Sequence, residues 1–174
     1  MSVFETERLV MRPWREDDAE NLYKYARDPA VGPAAGWPVH TSVGDSLRVL
    51  REVLIEDKTW AVTIKPSDEP VGSIGAFPTD ASGADGEPEI GYWIGRPYWG
   101  NGYIPEAVCA LIGHCFDEGA ENVWCSHFVG NDKSRRVIEK CGFRYVMTQP
   151  WQPTPEDTRD ALYYKITRKE WEHD

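Results

Sequence analysis

Apolar positions along the chain recur at two spacings, and the change from one to the other marks the elements. Ala19, Leu22, Tyr23 and Ala26 stand three and four apart, which predicts a helix over 14–27. Asp28-Pro29 closes it, because the residue before a proline disfavours helical backbone. Positions 29–40 carry three prolines, two glycines and Trp37 and read as a loop. A second helix, from Thr41 or Ser42, turns Leu47, Leu50, Val53 and Leu54 inward. The strongest stripe is Ile104, Ala107, Val108, Leu111, Ile112, Cys115 and Phe116, an amphipathic helix that ends near Gly119. A shorter helix follows over 131–140. Strands are predicted at 9–13, 60–64, 71–77, 89–94, 122–128, 143–147 and 161–166. The last two are separated by a loop with Pro150, Pro153 and Pro155. No repeat or linker interrupts this order, so residues 1–174 read as one mixed α/β domain.

Composition narrows the functional classes. The 174 residues are 41% hydrophobic and 28% charged, the balance of a folded chain. Nineteen Lys and Arg against 29 Asp and Glu leave a net charge of −10. Nonspecific nucleic-acid binding needs clustered basic residues, so no nucleic-acid partner is expected. An acidic surface suits a basic partner or an amine substrate, and equally serves solubility alone. No run approaches the roughly 18 apolar residues of a membrane span, and positions 1–8 lack the pattern of a secretion signal. A cytoplasmic location and four reduced cysteines, Cys109, Cys115, Cys125 and Cys141, are the corresponding expectations. The Cys and His spacings match no structural zinc pattern, so no metal is expected.

Two stretches carry candidate chemistry. Tyr98-Trp99-Gly100-Asn101-Gly102-Tyr103-Ile104 lies between a strand and the best helix. Glycines let backbone amides turn toward a ligand, and a helix start adds partial positive charge. The unit suits a pyrophosphate, and a plain tight turn accounts for it equally. The second stretch runs from Asn131 to Phe143. Asn131 caps a helix that Gly142 ends, while Lys133, Arg135 and Arg136 crowd a helix start where the dipole disfavours cations. A nearby anionic ligand would offset that cost.

Taken in order, Glu89-Ile90-Gly91-Tyr92-Trp93-Ile94, the Trp99 to Tyr103 loop, and Asn131-x-x-Ser134 with Glu139-Lys140-x-Gly142-Phe143 resemble the GNAT acyltransferase superfamily. More narrowly the chain resembles its RimJ/RimL type, which acetylates protein N-termini. Thr6-Glu7-Arg8-Leu9-x-x-Arg12 and positions 163–171 fit the same type, so the resemblance spans nearly the whole chain. It implies a mostly antiparallel central sheet, splayed in the middle, with helices on both faces. It implies acetyl-CoA in the slot between the splayed strands, with strand 89–94 along the pantetheine. The amides of Gly100, Asn101, Gly102, Tyr103 and Ile104 would hold the pyrophosphate, Asn131 the pantetheine arm, and Ser134 would sit near the sulfur. Trp99 opens the loop where the superfamily usually has Arg or Gln, and Ile104 ends it in place of Gly or Ala, so a guanidinium contact is lost there.

The chemistry required is attack of a free amine on a thioester. Glu89 is the candidate base, with an exposed edge-strand charge as its alternative role; Glu87 and His127 are weaker candidates. Ser134 suits hydrogen bonding to the leaving thiolate, and an amide near Ile94 suits the oxyanion. One or more of Lys133, Arg135 and Arg136 suit the 3′-phosphate of coenzyme A, with Lys133 and Arg136 the leading pair. His40 has no assigned role. The reading is direct transfer from acetyl-CoA to a protein N-terminal amine. A polyamine- or aminoglycoside-like acceptor, or a coenzyme A-binding module without turnover, are the alternatives. A monomer and a homodimer are both compatible with the sequence.

Overall fold

The computed structural model describes residues 2–55 and 58–173. The chain folds into two compact units, Met1–Gly75 with Tyr92–Ala110 and Ala76–Gly91 with Leu111–Asp174.

In the first unit, β1 (Phe4–Glu5), β2 (Leu9–Pro13), β3 (Thr59–Ile64) and the start of β4 (Pro70–Pro78) follow one another antiparallel. Leu9 faces Ile64 and Met11 faces Val62, all but Ile64 fully buried. The helices α1 (Ala19–Ala26), α2 (Gly32–Ala35) and α3 (Val43–Val49) belong to the same unit. Trp14, Ala19, Leu22, Ala26, Leu50 and Ala61 form a core, with Trp37, Leu47, Leu54 and Trp93 packed on it.

Three expectations are corrected here. The helix expected from position 14 begins only at Ala19, after a 3-10 turn at Glu16–Asp18. Asp18 is tied to Arg12 and accepts from the Arg15 amide, which holds the chain in the tighter turn. The loop over 29–40 contains α2, started with Pro33 in its first turn and ended at Gly36. Val53 is 42% exposed rather than inward, because Leu50–Leu54 widens into a π-type turn that rotates it outward.

In the second unit, β5 (Pro88–Ile94) begins, β6 (Asn122–Phe128) pairs with it in parallel at Glu89↔Trp124 and Ile90↔Cys125, and the strand order continues β6-β8-β7. The β6–β8 and β7–β8 pairs are antiparallel, giving the expected mostly antiparallel α/β architecture. Helix α4 (Tyr103–Asp117) buries every member of its predicted stripe. Helix α5 (Asp132–Lys140) precedes β7 (Arg144–Thr154) and β8 (Asp157–Thr167), and α6 (Arg168–Trp171) follows.

The proline-rich stretch expected as a loop is instead the far half of the β7–β8 hairpin, with Pro150 opposite Asp160. β7 ends the strand order, and an edge strand tolerates residues that donate no ladder bond. Trp151 fixes this half by packing its ring 4.9 Å from Phe128, beside the Trp124, Ala161 and Tyr163 cluster.

Candidate active site

The glycine loop lies in the first unit and is built from its carbonyls outward. A 3-10 turn at Arg96–Tyr98 leaves β5, and the indole of Trp99 folds back to donate to the Ile94 carbonyl at 2.9 Å. Asn101 Nδ2 donates to the carbonyls of Tyr98 and Trp99 at 3.0 and 3.1 Å. Arg8 Nη1 donates to the Asn101 carbonyl at 2.9 Å. In a trans peptide the carbonyl and the next N–H point in opposite directions. Tying back the Trp99 and Asn101 carbonyls therefore turns the Gly100 and Gly102 amides the other way. Both glycines have φ +76, while Trp99 lies at −62, and among the described residues no non-glycine has positive φ. Such alternation of sign is the backbone pattern of anion-binding concavities. Tyr103 and Ile104 then open α4, whose first amides lack carbonyl partners four residues back.

Glu89 lies in the second unit, half-buried at the start of β5. Ser126 Oγ donates to Glu89 Oε1 at 2.5 Å and Thr79 Oγ1 to Oε2 at 2.6 Å, so each oxygen has one hydroxyl donor. Burial raises the Glu89 carboxyl above its ordinary value; the Ser126 and Thr79 bonds oppose the rise and Asp80 adds to it. Asp80 itself accepts from Tyr163 Oη at 2.6 Å. The exposed edge-strand role for Glu89 is thus replaced by a held, partly desolvated carboxylate.

The weaker candidates are occupied. Glu87 accepts from Asn122 Nδ2 at 2.5 Å and from the Trp124 indole. His127 Nδ1 donates to the Phe128 carbonyl at 2.8 Å and Nε2 meets Tyr164 Oη at 3.1 Å. His40 is buried against Ser46, its Nδ1 2.8 Å from Oγ, and burial lowers its pKa. Among the described residues no group of three or more His, Cys, Asp or Glu side chains is arranged to hold a metal.

Asn131 caps α5, its Oδ1 accepting from the Ser134 amide at 3.2 Å. At the other end Gly142 N–H bonds the Glu139 carbonyl and Phe143 N–H that of Ile138, the paired closure that a glycine with φ +88 permits. Lys133, Arg135 and Arg136 are exposed, with Arg135 Nη2 3.5 Å from Asp132.

Of the expected site residues, Ile94, Trp99, Gly100, Asn101, Gly102, Tyr103 and Ile104 gather around one loop in the first unit. Glu89, Asn131, Lys133, Ser134 and Arg136 belong to the second. The sequence reading missed Thr79 and Ser126. Ser126 lies two positions beyond Trp124, which pairs with Glu89, and only strand register reveals that neighbourhood.

In the first unit, the strand–glycine loop–helix segment with backbone amides turned outward is the kind of unit that suits a phosphate-bearing ligand. Residues 8–144 match the acetyltransferase (GNAT) domain family. The chain therefore belongs to the GNAT acetyltransferases and is an acetyl-CoA-dependent N-acetyltransferase. It is 32% identical over 121 residues to p20 of Bacillus licheniformis, an uncharacterised N-acetyltransferase, covering 67% of each chain. It is 37% identical over 86 residues to YdaF of Bacillus subtilis, named as a candidate ribosomal N-acetyltransferase, covering 48% of this chain and 47% of the other. A GNAT-family acetyltransferase structure from Bacillus anthracis shares the fold, with a TM-score of 0.84 at 24% identity over 97% of this chain and all of that one. No helix among the described residues is long and apolar enough to cross a membrane.

Proposed function

We propose that the protein acetylates a protein N-terminal amine by direct transfer, with Glu89 as the base. The observation that carries this is the Glu89 carboxylate, gripped by two hydroxyls and raised in pKa by burial. A protein α-amino group has a pKa of about 7.7–8.0, so modest help suffices to free its lone pair. Glu89 takes that proton, directly or through water. The amine nitrogen then bonds to the thioester carbon and the carbonyl electrons rest on an oxygen near the Ile94 amide. As the carbonyl re-forms, the C–S bond breaks and the proton still carried by the nitrogen passes to the leaving thiolate, giving the amide and coenzyme A thiol. Ser134 hydrogen-bonds the departing thiolate.

The amides of residues 100–104 hold the pyrophosphate, Asn131 the pantetheine arm, and Lys133 and Arg136 the 3′-phosphate. The Cys125 thiol gives no support to an acyl-cysteine route. Cys125 is buried, donates to the Ile90 carbonyl at 3.3 Å, and has its pKa driven upward by burial and by Glu89. The N-terminal acceptor rests on the RimJ/RimL resemblance and on the name of one relative. An acetyl-CoA donor fits a cytoplasmic setting.

Thiol release from acetyl-CoA with peptides bearing free N-termini, compared with polyamines and aminoglycosides, tests the acceptor. Turnover on peptides alone is the expected result, and turnover on small amines alone would replace it. Glu89→Gln tests the base, and unchanged turnover in that variant removes it from the mechanism.

A further inference from the structure

The loop 99–104 contains no basic residue, yet a guanidinium stands against it. Arg8, in the segment between β1 and β2, contacts the loop and the first turn of α4 in three ways. Its Nη1 donates to the Asn101 carbonyl at 2.9 Å, and its Nε donates to Glu106 Oε2 at 2.7 Å. Its plane lies over the Tyr103 ring, with Cζ 4.6 Å from the centroid. Its Nη2 would stand 3.4 Å from a Cβ built on Gly102.

Glu106 fixes Arg8 in turn. The Glu106 carboxylate accepts from the Arg8 amide at 2.9 Å and from Thr6 Oγ1 as well as from Nε. Burial alone would raise the Glu106 carboxyl, but the bonds from Thr6 and Arg8 outweigh it and hold it below its ordinary value. The result is a guanidinium aimed by a carboxylate at one loop carbonyl.

That carbonyl belongs to the peptide between Asn101 and Gly102, followed directly by a glycine. Glycine adopts either sign of φ with little penalty, so nothing intrinsic to this peptide stops it from rotating. Rotation would swing the Gly102 amide away and put a carbonyl oxygen in its place, which repels an anion.

We propose that Arg8 is a positioning residue for the donor: it clamps the Asn101 carbonyl so that the Gly102 amide faces the phosphates of acetyl-CoA. The inference rests on the proposal that residues 100–104 hold the pyrophosphate. It differs from a simple counter-charge, because the guanidinium reaches Glu106 and Asn101 from two different nitrogens, Nε and Nη1, in a fixed fork that the single nitrogen of an ammonium does not reproduce.

The test compares acetyl-CoA with S-acetylpantetheine, which keeps the thioester and pantetheine arm but lacks the pyrophosphate. The readout is the ratio of kcat/KM for the two donors in the wild-type protein, Arg8→Ala and Arg8→Lys. The wild type is expected to favour acetyl-CoA strongly. Both variants are expected to lower the ratio by about tenfold or more, the scale of one charge-assisted hydrogen bond, mainly through KM for acetyl-CoA. A general loss of folding would depress both donors together and leave the ratio unchanged, and an unchanged ratio in both variants overturns the proposal. Full restoration by lysine overturns it too, because charge without the fork would then suffice. If the wild type itself handles both donors alike, the loop reading fails and the clamp falls with it.

Discussion

Ser126 Oγ donates to Glu89 Oε1 across the parallel β5–β6 pair, at 2.5 Å. A hydroxyl that donates to a carboxylate favours its charged form, while burial favours the neutral one. Burial prevails at Glu89, so its pKa is raised. As a base, Glu89 must be ionised, so the acidic limb of kcat/KM should lie above the ordinary Glu value of about 4.3. Ser126→Ala and Thr79→Val each remove a bond that lowers this pKa, so both should move the limb to higher pH. The groups that face Glu89, namely Asp80, Cys125 and Tyr163, remain in place in either variant. Glu89→Gln should lose turnover by about 10²–10⁴-fold. A pH profile of each variant checks the direction, and a shift toward acid in Ser126→Ala would contradict it.

The basic residues at the start of α5 should discriminate between forms of coenzyme A. A contact to phosphate from Lys133 or Arg136 is worth about one to two decades in affinity. The Lys133→Ala, Arg136→Ala double variant should bind coenzyme A correspondingly more weakly and dephospho-coenzyme A nearly as well as the wild type. Calorimetry with the two ligands reads this directly. Wild-type affinity for coenzyme A in the double variant would make the basic run a solvated helix face.

Ser134 and Asn131 share a hydrogen bond but should fail differently. The bond uses the Ser134 amide, so Ser134→Ala keeps the cap. Turnover should fall with little change in acetyl-CoA affinity, as expected for a group that acts on the leaving thiolate. Asn131→Ala removes the cap oxygen and should cost about 1 kcal/mol of stability as well as donor binding. Thermal melts alongside single-turnover rates separate the two effects.

Arg12 and Asp18 form a buried bidentate pair, with side chains 4% and 7% exposed and bonds of 2.8 and 2.9 Å. Removing one partner leaves the other charge buried without its counterpart, at a cost of about 3–5 kcal/mol. Asp18→Ala should therefore lower the denaturant midpoint sharply with an unchanged slope. A loss below about 1 kcal/mol would show that Asp68, which also reaches Arg12 Nε, carries the charge alone.

Much of the element pattern is legible in the chain because period and punctuation act locally. The α4 stripe is buried at every predicted position, since an uninterrupted i, i+3, i+4 pattern has one helical solution. The Asn131 cap and the Gly142 stop are where their chemistry places them. The departures share a different cause. Pro150 reads as a loop residue until its strand is seen at a sheet edge, where a missing N–H costs nothing. Asp18 falls inside the helix expected from position 14 until Arg12 is seen to hold it in a tighter turn. Val53 follows the apolar pattern, yet one widened turn sends it to solvent.

By itself the sequence determined the longer helices and strands, though not β1, α2 or α6, together with the glycine loop, the caps of α5 and the acyltransferase family, because each depends on residues close together in the chain or on motifs in fixed order. Only the tertiary structure decided what Glu89 and Arg8 touch. The Glu89 donors come from positions 79 and 126, and the partners of Arg8 from positions 101 and 106. Such partners are set by strand register and by the packing of one segment on another, and separations of 10 to 98 residues leave no periodic trace. The identity of the base can be guessed from the strand that carries it, but its pKa follows from burial and two hydroxyls that folding alone brings to it.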